Sequence, residues 1–264
     1  MKELQKIFES RDHLKQYVRT LAPWAEGDIS ETIGGFEEAE KKLNNIDATG
    51  YAKTRNFGNG KVTKLSPYIH HGVLSLNEIR NYLLSQHTQP EEITKLIQEL
   101  AWRDFWQRVA DQNPKWIWND VEPYKTGYTA HEYSASLPKD ILEANTGVAC
   151  IDAFIHDLTD TGYVHNHARM YLASYIVHFR KVKWQTGAKW FLKHLLDGDE
   201  ASNNLSWQWI ASTFSNKPYI FNLQNVTTYF GDFVDTSSDN NGILDATYET
   251  LTNYLFPNLK VSDG

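Results

Sequence analysis

The chain of 264 residues holds a single cysteine, Cys150, so an internal disulfide framework is excluded and a reducing compartment is implied. No apolar run approaches the roughly 20 residues that a membrane span needs. The opening Met1-Lys-Glu-Leu-Gln-Lys6 carries no signal-peptide pattern. A cytoplasmic protein without a membrane partner is expected. Sustained apolar/polar alternation is missing, and no Asn-Gly turn joins β-branched runs, which argues against a sheet. No Gly-x-Gly-x-x-Gly follows a strand, so a Rossmann-type site has no support. Gly58-Asn-Gly-Lys61 lacks phosphate-loop spacing, and no nucleophile elbow anchors Ser-His-Asp chemistry. His70-His71 and His165-x-His167 lack the cysteines or paired carboxylates that would complete a metal shell, so no metal is expected.

Positive charge is also scarce: 26 basic residues stand against 33 acidic ones, a net of −7 that weighs against a nucleic-acid partner. Its distribution is uneven. Residues 231–264 hold six acids and one lysine, and residues 1–33 hold six acids and five bases, which leaves 34–230 at only −1. A basic face therefore remains available in the middle of the chain. Arg180-Lys-Val-Lys183 is a candidate, although such a run also reads as a solvated helix end. Aromatic residues are plentiful, with nine Trp and an aromatic fraction of 13%, which suits a protein that stacks on flat rings.

The apolar spacing predicts helices throughout. Leu4, Ile7, Leu14, Val18 and Leu21 share a side of a helix over 2–22, and residues 35–45 form a second. A Gly/Asn/Lys-rich loop is expected over 47–63. Ser66-Pro67 reads as an N-cap with Pro at the first position, and Ser75-Leu-Asn-Glu78 as a capping box. A long helix is expected from Pro90 to about Asp111. Its apolar side carries Ile93, Leu96, Ile97, Leu100, Ala101 and Phe105, and its other side Glu99, Trp102, Arg103 and Trp106. Two tryptophans on one polar face predict a pocket wall. Residues 115–145 read as irregular. Helices are expected over 146–159, 165–181, 186–196 and 242–255, with a loop over 231–241. The fold class is all-α and multi-helical.

The richest segment is Asp197-Gly-Asp199 followed by Asn203, Asn204 and Trp207-Gln-Trp209. Helical spacing places Asn203, Ser206, Trp207 and Ile210 on one face. A plain helix end capped by Asp199, with indoles in the core, is the structural alternative. Asn166, Arg169, Asp197, Asp199, Asn203 and Trp207, with the hydroxyl-rich loop before Pro67, suit a flat-ring nucleotide cofactor. Trp106, Trp190 and the histidines read equally well as core residues.

Five segments, taken in order, resemble the FAD-binding domain of the DNA photolyase/cryptochrome family. They are Thr63-Lys-Leu-Ser-Pro-Tyr68, Glu99-Leu-Ala-Trp-Arg-Asp-Phe105, Thr161-Gly-Tyr-Val-His-Asn-His-Ala-Arg-Met170, Trp184-Gln-Thr-Gly-Ala188 and the Asp197–Trp209 segment. The resemblance covers about 34–222. It implies three parts: an N-terminal helical extension (1–33), the FAD-binding domain (34–230), and an acidic loop and helix (231–264). The family's antenna domain is not expected, because the match begins near the start of the chain.

The resemblance implies roles residue by residue. Tyr51, Thr63, Lys64, Leu65 and Ser66 match positions around the phosphates of FAD, and Arg103 a flavin-contacting arginine. Arg169 and Asp197 match an ion pair beside the ring, and Asp199 an acceptor near the ring and ribityl chain. Asn203 matches the position near flavin N5, where an amide cannot supply a proton as an acid does, which favours photolyase-like chemistry. Glu99, Trp102, Asn166, Met170 and Trp209 match the pocket for a flipped cyclobutane pyrimidine dimer, with Arg55 on the DNA backbone. Trp207 and Trp184 match the first two members of an electron path, whose third falls near His131, with Tyr128 and Tyr133 close by.

Other departures are His167 in place of an arginine, a short Phe214–Asn222 segment without arginine, and an acidic tail. Losing phosphate contacts weakens DNA binding. Three functions follow from the resemblance. The first is a deoxyribodipyrimidine photolyase acting on damaged DNA, single- or double-stranded. The second is a cryptochrome-like blue-light or redox signalling flavoprotein. The third is an accessory or scaffold protein with a vestigial pocket. A separate antenna or signalling chain is an expected partner.

Overall fold

The computed structural model describes residues 3–24, 29–86 and 89–259. Among them the architecture is all-α, and the one extended pairing is an isolated bridge between Ser134 and Val182. The helices are α1 (Arg11–Leu21), α2 (Phe36–Asn44), α3 (Ala48–Thr54), α4 (Ser66–His70), α5 (Leu76–Gln86), α6 (Pro90–Gln112) and α7 (Lys139–Leu142). They continue as α8 (Ala149–His156), α9 (Asn166–Ser174), α10 (Trp184–His194), α11 (Glu200–Ala211), α12 (Leu223–Phe230), α13 (Ser238–Asn241) and α14 (Tyr248–Leu255). No described helix is long and apolar enough to cross a membrane.

Local chemistry explains most boundaries. The capping box closes as read: Ser75 N–H donates to Glu78 at 2.7 Å, and Glu78 N–H donates to Ser75 Oγ at 3.1 Å. Helix α6 opens at Pro90, where the missing N–H costs nothing. The chain from 113 to 138 is largely irregular, as its Gly, Pro and aromatic content implies.

Several elements differ from the sequence reading, among them α7, a single helical turn over Lys139–Leu142 inside the stretch 115–145 expected to be irregular. Helix α1 starts at Arg11, not at residue 2 (which lies outside the described residues), because Ser10 caps it by accepting from His13 N–H. Residues 47–63 contain α3, which Asp47 caps by accepting from Gly50 N–H at 2.7 Å. That helix escaped notice because a central glycine and a length of seven residues hide its period. Leu65, not Ser66, occupies the cap position of α4. Residues 238–241 form a short helix within the expected loop. The last helix begins at Tyr248, where Thr247 caps it, after a 3₁₀ turn over Gly242–Leu244.

Two apolar clusters form the body. The larger unites α8 to α12, with Phe154, Tyr171, Trp184, Phe191 and Phe221 at its centre. The smaller joins α2 to α6 through Ala39, Ala48, Leu65, Ile79 and Leu96. Their seam carries the site described below. Residues beyond 231 pack into the same body: Leu244 lies in the larger cluster, and buried Asn241 accepts from Cys150 N–H at 3.0 Å at the start of α8. Helix α1, in contrast, buries nothing.

Asn241→Ala leaves the Cys150 amide buried and unpaired, an expected loss of ~1–3 kcal/mol. The measurement is a shift of the urea midpoint at unchanged slope.

Candidate functional site

A cavity of about 490 Å³ opens at the seam. From the smaller cluster it receives Tyr51, Leu65 and Leu96, and from the larger one Ala173, Phe191 and Trp207. Helix α6 contributes Glu99, Trp102, Arg103 and Trp106, the polar face read from its spacing. Helix α11 contributes Asn203, Ser206, Trp207 and Ile210, again one face. Phe105, read as core-facing, instead lies exposed beside Trp102.

The floor is an ion pair. Arg169 Nη2 on α9 donates to both carboxylate oxygens of Asp197, at 3.0 and 2.9 Å, while its Nε holds the Val164 carbonyl at 2.8 Å. Burial opposes charge on Asp197, but Arg169 and a bond from Ser66 outweigh it and hold the carboxyl below its ordinary range. Tyr163 lies beneath both Lys64 and Arg169, 5.3 and 5.9 Å from its ring centroid. Lys64 has φ of +51°, in the left-handed region that non-glycine residues seldom enter. The turn this makes brings Thr63, Lys64, Leu65 and Ser66 to one wall.

Asp199 serves the protein first. Its Oδ2 accepts from Ser202 N–H at 2.9 Å as the cap of α11, and Gln107 Nε2 donates to its two oxygens at 2.8 and 2.7 Å. Burial again works against its charge, and the Ser202 and Gln107 bonds with nearby Arg103 keep its carboxyl low. Asn203 commits both amide hydrogens, one to the Ala188 carbonyl at 3.1 Å and one to Asn204 Oδ1 at 2.9 Å. Its own carbonyl oxygen is left as the acceptor for a ligand.

The mobility of α11 is limited by two buried amides. Asn204 donates to the Ile117 carbonyl at 2.8 Å, and Gln208 accepts from Val121 N–H at 3.0 Å. Close approach of α10 depends on Gly187, since a Cβ there would stand 2.3 Å from the Trp207 ring. His71 Nε2 sits 3.0 Å from the Leu196 carbonyl and so carries the proton, anchoring α4 to the loop before Asp197.

Tyr51, Arg55, Thr63, Lys64, Leu65, Ser66, Glu99, Trp102, Arg103, Asn166, Arg169, Met170, Asp197, Asp199, Asn203 and Trp207 all line the cavity. Glu99 is ion-paired with Lys95 at 2.7 Å and lies 3.8 Å from Arg55. Two expected residues lie elsewhere. Trp209 turns to the surface against Tyr219, with ring centroids 5.8 Å apart. Trp184 is buried and donates its indole N–H to Asp120 at 2.6 Å. Tyr163 and Gly187 act at the site but carried no sequence signal beyond their places in the motifs, and Gln107, outside every motif, carried none.

The residues matching the proposed family can now be set beside known proteins. The description "FAD binding domain of DNA photolyase" matches residues 96–239. A deoxyribodipyrimidine photo-lyase from Streptomyces griseus is 33% identical over 68% of this chain and 39% of its own length. One from Neurospora crassa is 34% identical over 71% of this chain and 33% of its own. A class III photolyase structure from Agrobacterium tumefaciens superposes with a TM-score of 0.63 at 26% identity, covering 84% of this chain and 45% of that one. The chain thus spans less than half the length of these relatives.

Two outcomes follow from the geometry. Gly187→Ala forces Trp207 off its seat, an expected cost of ~1–3 kcal/mol with a changed near-ultraviolet dichroism. Burial, then His167 and Arg169, lowers the His165 value from 6.5 to about 4. The unfolded chain then binds the proton more readily, so this contribution to stability is whole above pH 6.5 and declines as pH falls toward 4. His165→Asn keeps an acceptor for His167 N–H and flattens that part of the pH dependence in urea titrations.

Proposed function

This chain belongs to the DNA photolyase/cryptochrome family through its FAD-binding domain, and we propose that it holds FAD in the seam cavity and uses light to split cyclobutane pyrimidine dimers in DNA. The observation that carries the reading is the joint lining of one cavity by the Arg169–Asp197 pair, the oriented Asn203 and the half-exposed Trp102.

The donor set fits the cofactor. Lys64 supplies positive charge for a diphosphate, Thr63 and Ser66 supply hydroxyls on the same wall, and Arg103, near Asp199, is the arginine for the flavin. The Asn203 carbonyl is free to accept from a ring N–H, because both its hydrogens are already spent on the protein. Asp197 stays ionised beside Arg169, so the wall next to the ring carries no mobile proton. Bound FAD supplies the photoexcitable electron donor. The protein's part is to hold the two ring systems in register and to exclude water.

On the substrate side, Trp102 offers a stacking face at the mouth, and Asn166 and Met170 complete the adjoining wall. Glu99, a carboxylate paired with Lys95 and Arg55, is placed to accept a hydrogen bond from a pyrimidine ring N–H. That pairing balances the site electrostatically before substrate arrives. Arg55, 3.8 Å from Glu99, is the arginine we assign to the DNA backbone. The Trp207–Trp184 pair is our proposed route for reducing equivalents.

The deciding experiment is an absorption spectrum of the FAD-loaded protein followed by dimer loss from an irradiated oligonucleotide under blue light. Flavin bands with light-dependent loss support the reading. Flavin without repair points to the signalling role, and failure to take up FAD to the accessory one. Glu99→Gln should slow repair about tenfold, or ~1.4 kcal/mol, with the flavin spectrum unchanged.

A further inference from the structure

The aromatic residues of α6 do not stop at the cavity. Trp102 and Trp106 stack with centroids 5.7 Å apart and planes 28° apart at its edge. Phe105 joins both, at 5.4 and 5.2 Å. Trp106 then meets Phe214 at 5.8 Å, and Phe214 meets Trp116 at 5.7 Å. Five rings form a continuous ladder from the cavity mouth across the surface.

Part of that ladder has a structural duty. Trp106, Trp116 and Phe214 cover the small cluster of Ile117, Ala201 and Leu205, which fixes their positions. Trp102 and Phe105 have no such excuse: they are 51% and 44% exposed. Two large rings standing in water beside a flat-ring pocket, on a base of immobilised rings, make a stacking platform. Of the charges on α6, Asp104 and Arg108 are paired with each other at 2.6 Å, while Glu99 and Arg103 line the cavity. Beyond the cavity mouth the platform therefore offers ring faces more than cations.

We propose that this ladder binds the unpaired bases flanking the lesion, so that the substrate is single-stranded DNA. The inference rests on the seam cavity being the dimer pocket and adds the path of the strand that leaves it. In a duplex the base faces are already stacked on one another and unavailable. In a single strand they are free, and each base that stacks on an aromatic side chain gains affinity without sequence preference. A chain of net charge −7, with Arg55 as its assigned backbone contact, gains from such faces when the strand is unpaired.

The test is fluorescence anisotropy, in the dark, of the FAD-loaded protein with undamaged oligothymidylate and with a duplex of equal length. The single strand should bind at least about tenfold tighter, and its affinity should fall less than about tenfold between 50 and 200 mM salt, as few phosphate contacts dictate. Phe105→Ala should weaken single-strand binding about fivefold or more at an unchanged melting temperature, and Phe105→Tyr should restore it. Equal affinity for duplex and single strand, or an unaffected Phe105→Ala, overturns the proposal. Light-driven dimer loss from a lesion-bearing strand is measured separately. Repair without a platform effect removes the ladder and spares the pocket. A platform effect without repair removes the photolyase reading instead.

Discussion

A buried carboxylate stays ionised only beside a partner, and the structure of this protein is arranged around one such carboxylate. Asp197 lies in the loop between α10 and α11, and Arg169 reaches it from α9. Removing either member strands a charge in a poorly solvated site, which is costlier than the pair itself is favourable. The pair therefore sets where three helices meet. Tyr163 beneath Arg169, and His71 on the Leu196 carbonyl, extend the same constraint to the wall formed by residues 63–66.

The second layer is packing. Helix α11 has two working faces. Asn203, Ser206 and Trp207 look into the cavity, while buried Asn204 and Gln208 hold the irregular chain over 116–121. Buried amides are tolerable only when satisfied, so the same residues that stabilise an otherwise formless segment also fix the direction of Asn203. Gly187 lets α10 close on Trp207 with no intervening side chain. Rigidity here suits the proposed role, in which a bound cofactor would supply the chemistry and the chain its placement.

The division of the surface follows. The mouth carries exposed rings and an engaged arginine, not a field of cations, and the excess of acid over base lies mainly at the ends of the chain. The acidic C-terminal stretch is not a loose appendage, since Asn241 and Leu244 enter the larger cluster and α14 packs beside Phe179 and Ile220. The apolar residues of α1 remain uncovered.

Much of this was legible in the order of residues. Helical periods, the Ser75 capping box and the polar face of α6 rest on local spacing, and local spacing is a property of sequence. The cofactor-type motif residues were legible for the same reason, through their resemblance to a family. Tertiary structure alone decided the rest. Trp209 lies against Tyr219, a contact set by how the 212–222 segment folds back on α11 and not by helical spacing. Asp199 caps α11 as its position allowed, but its second partner, Gln107, stands 92 positions away and no local pattern reveals it. The ring ladder likewise joins residues of α6 to Phe214 and Trp116 across the fold, and only packing brings such distant side chains within contact.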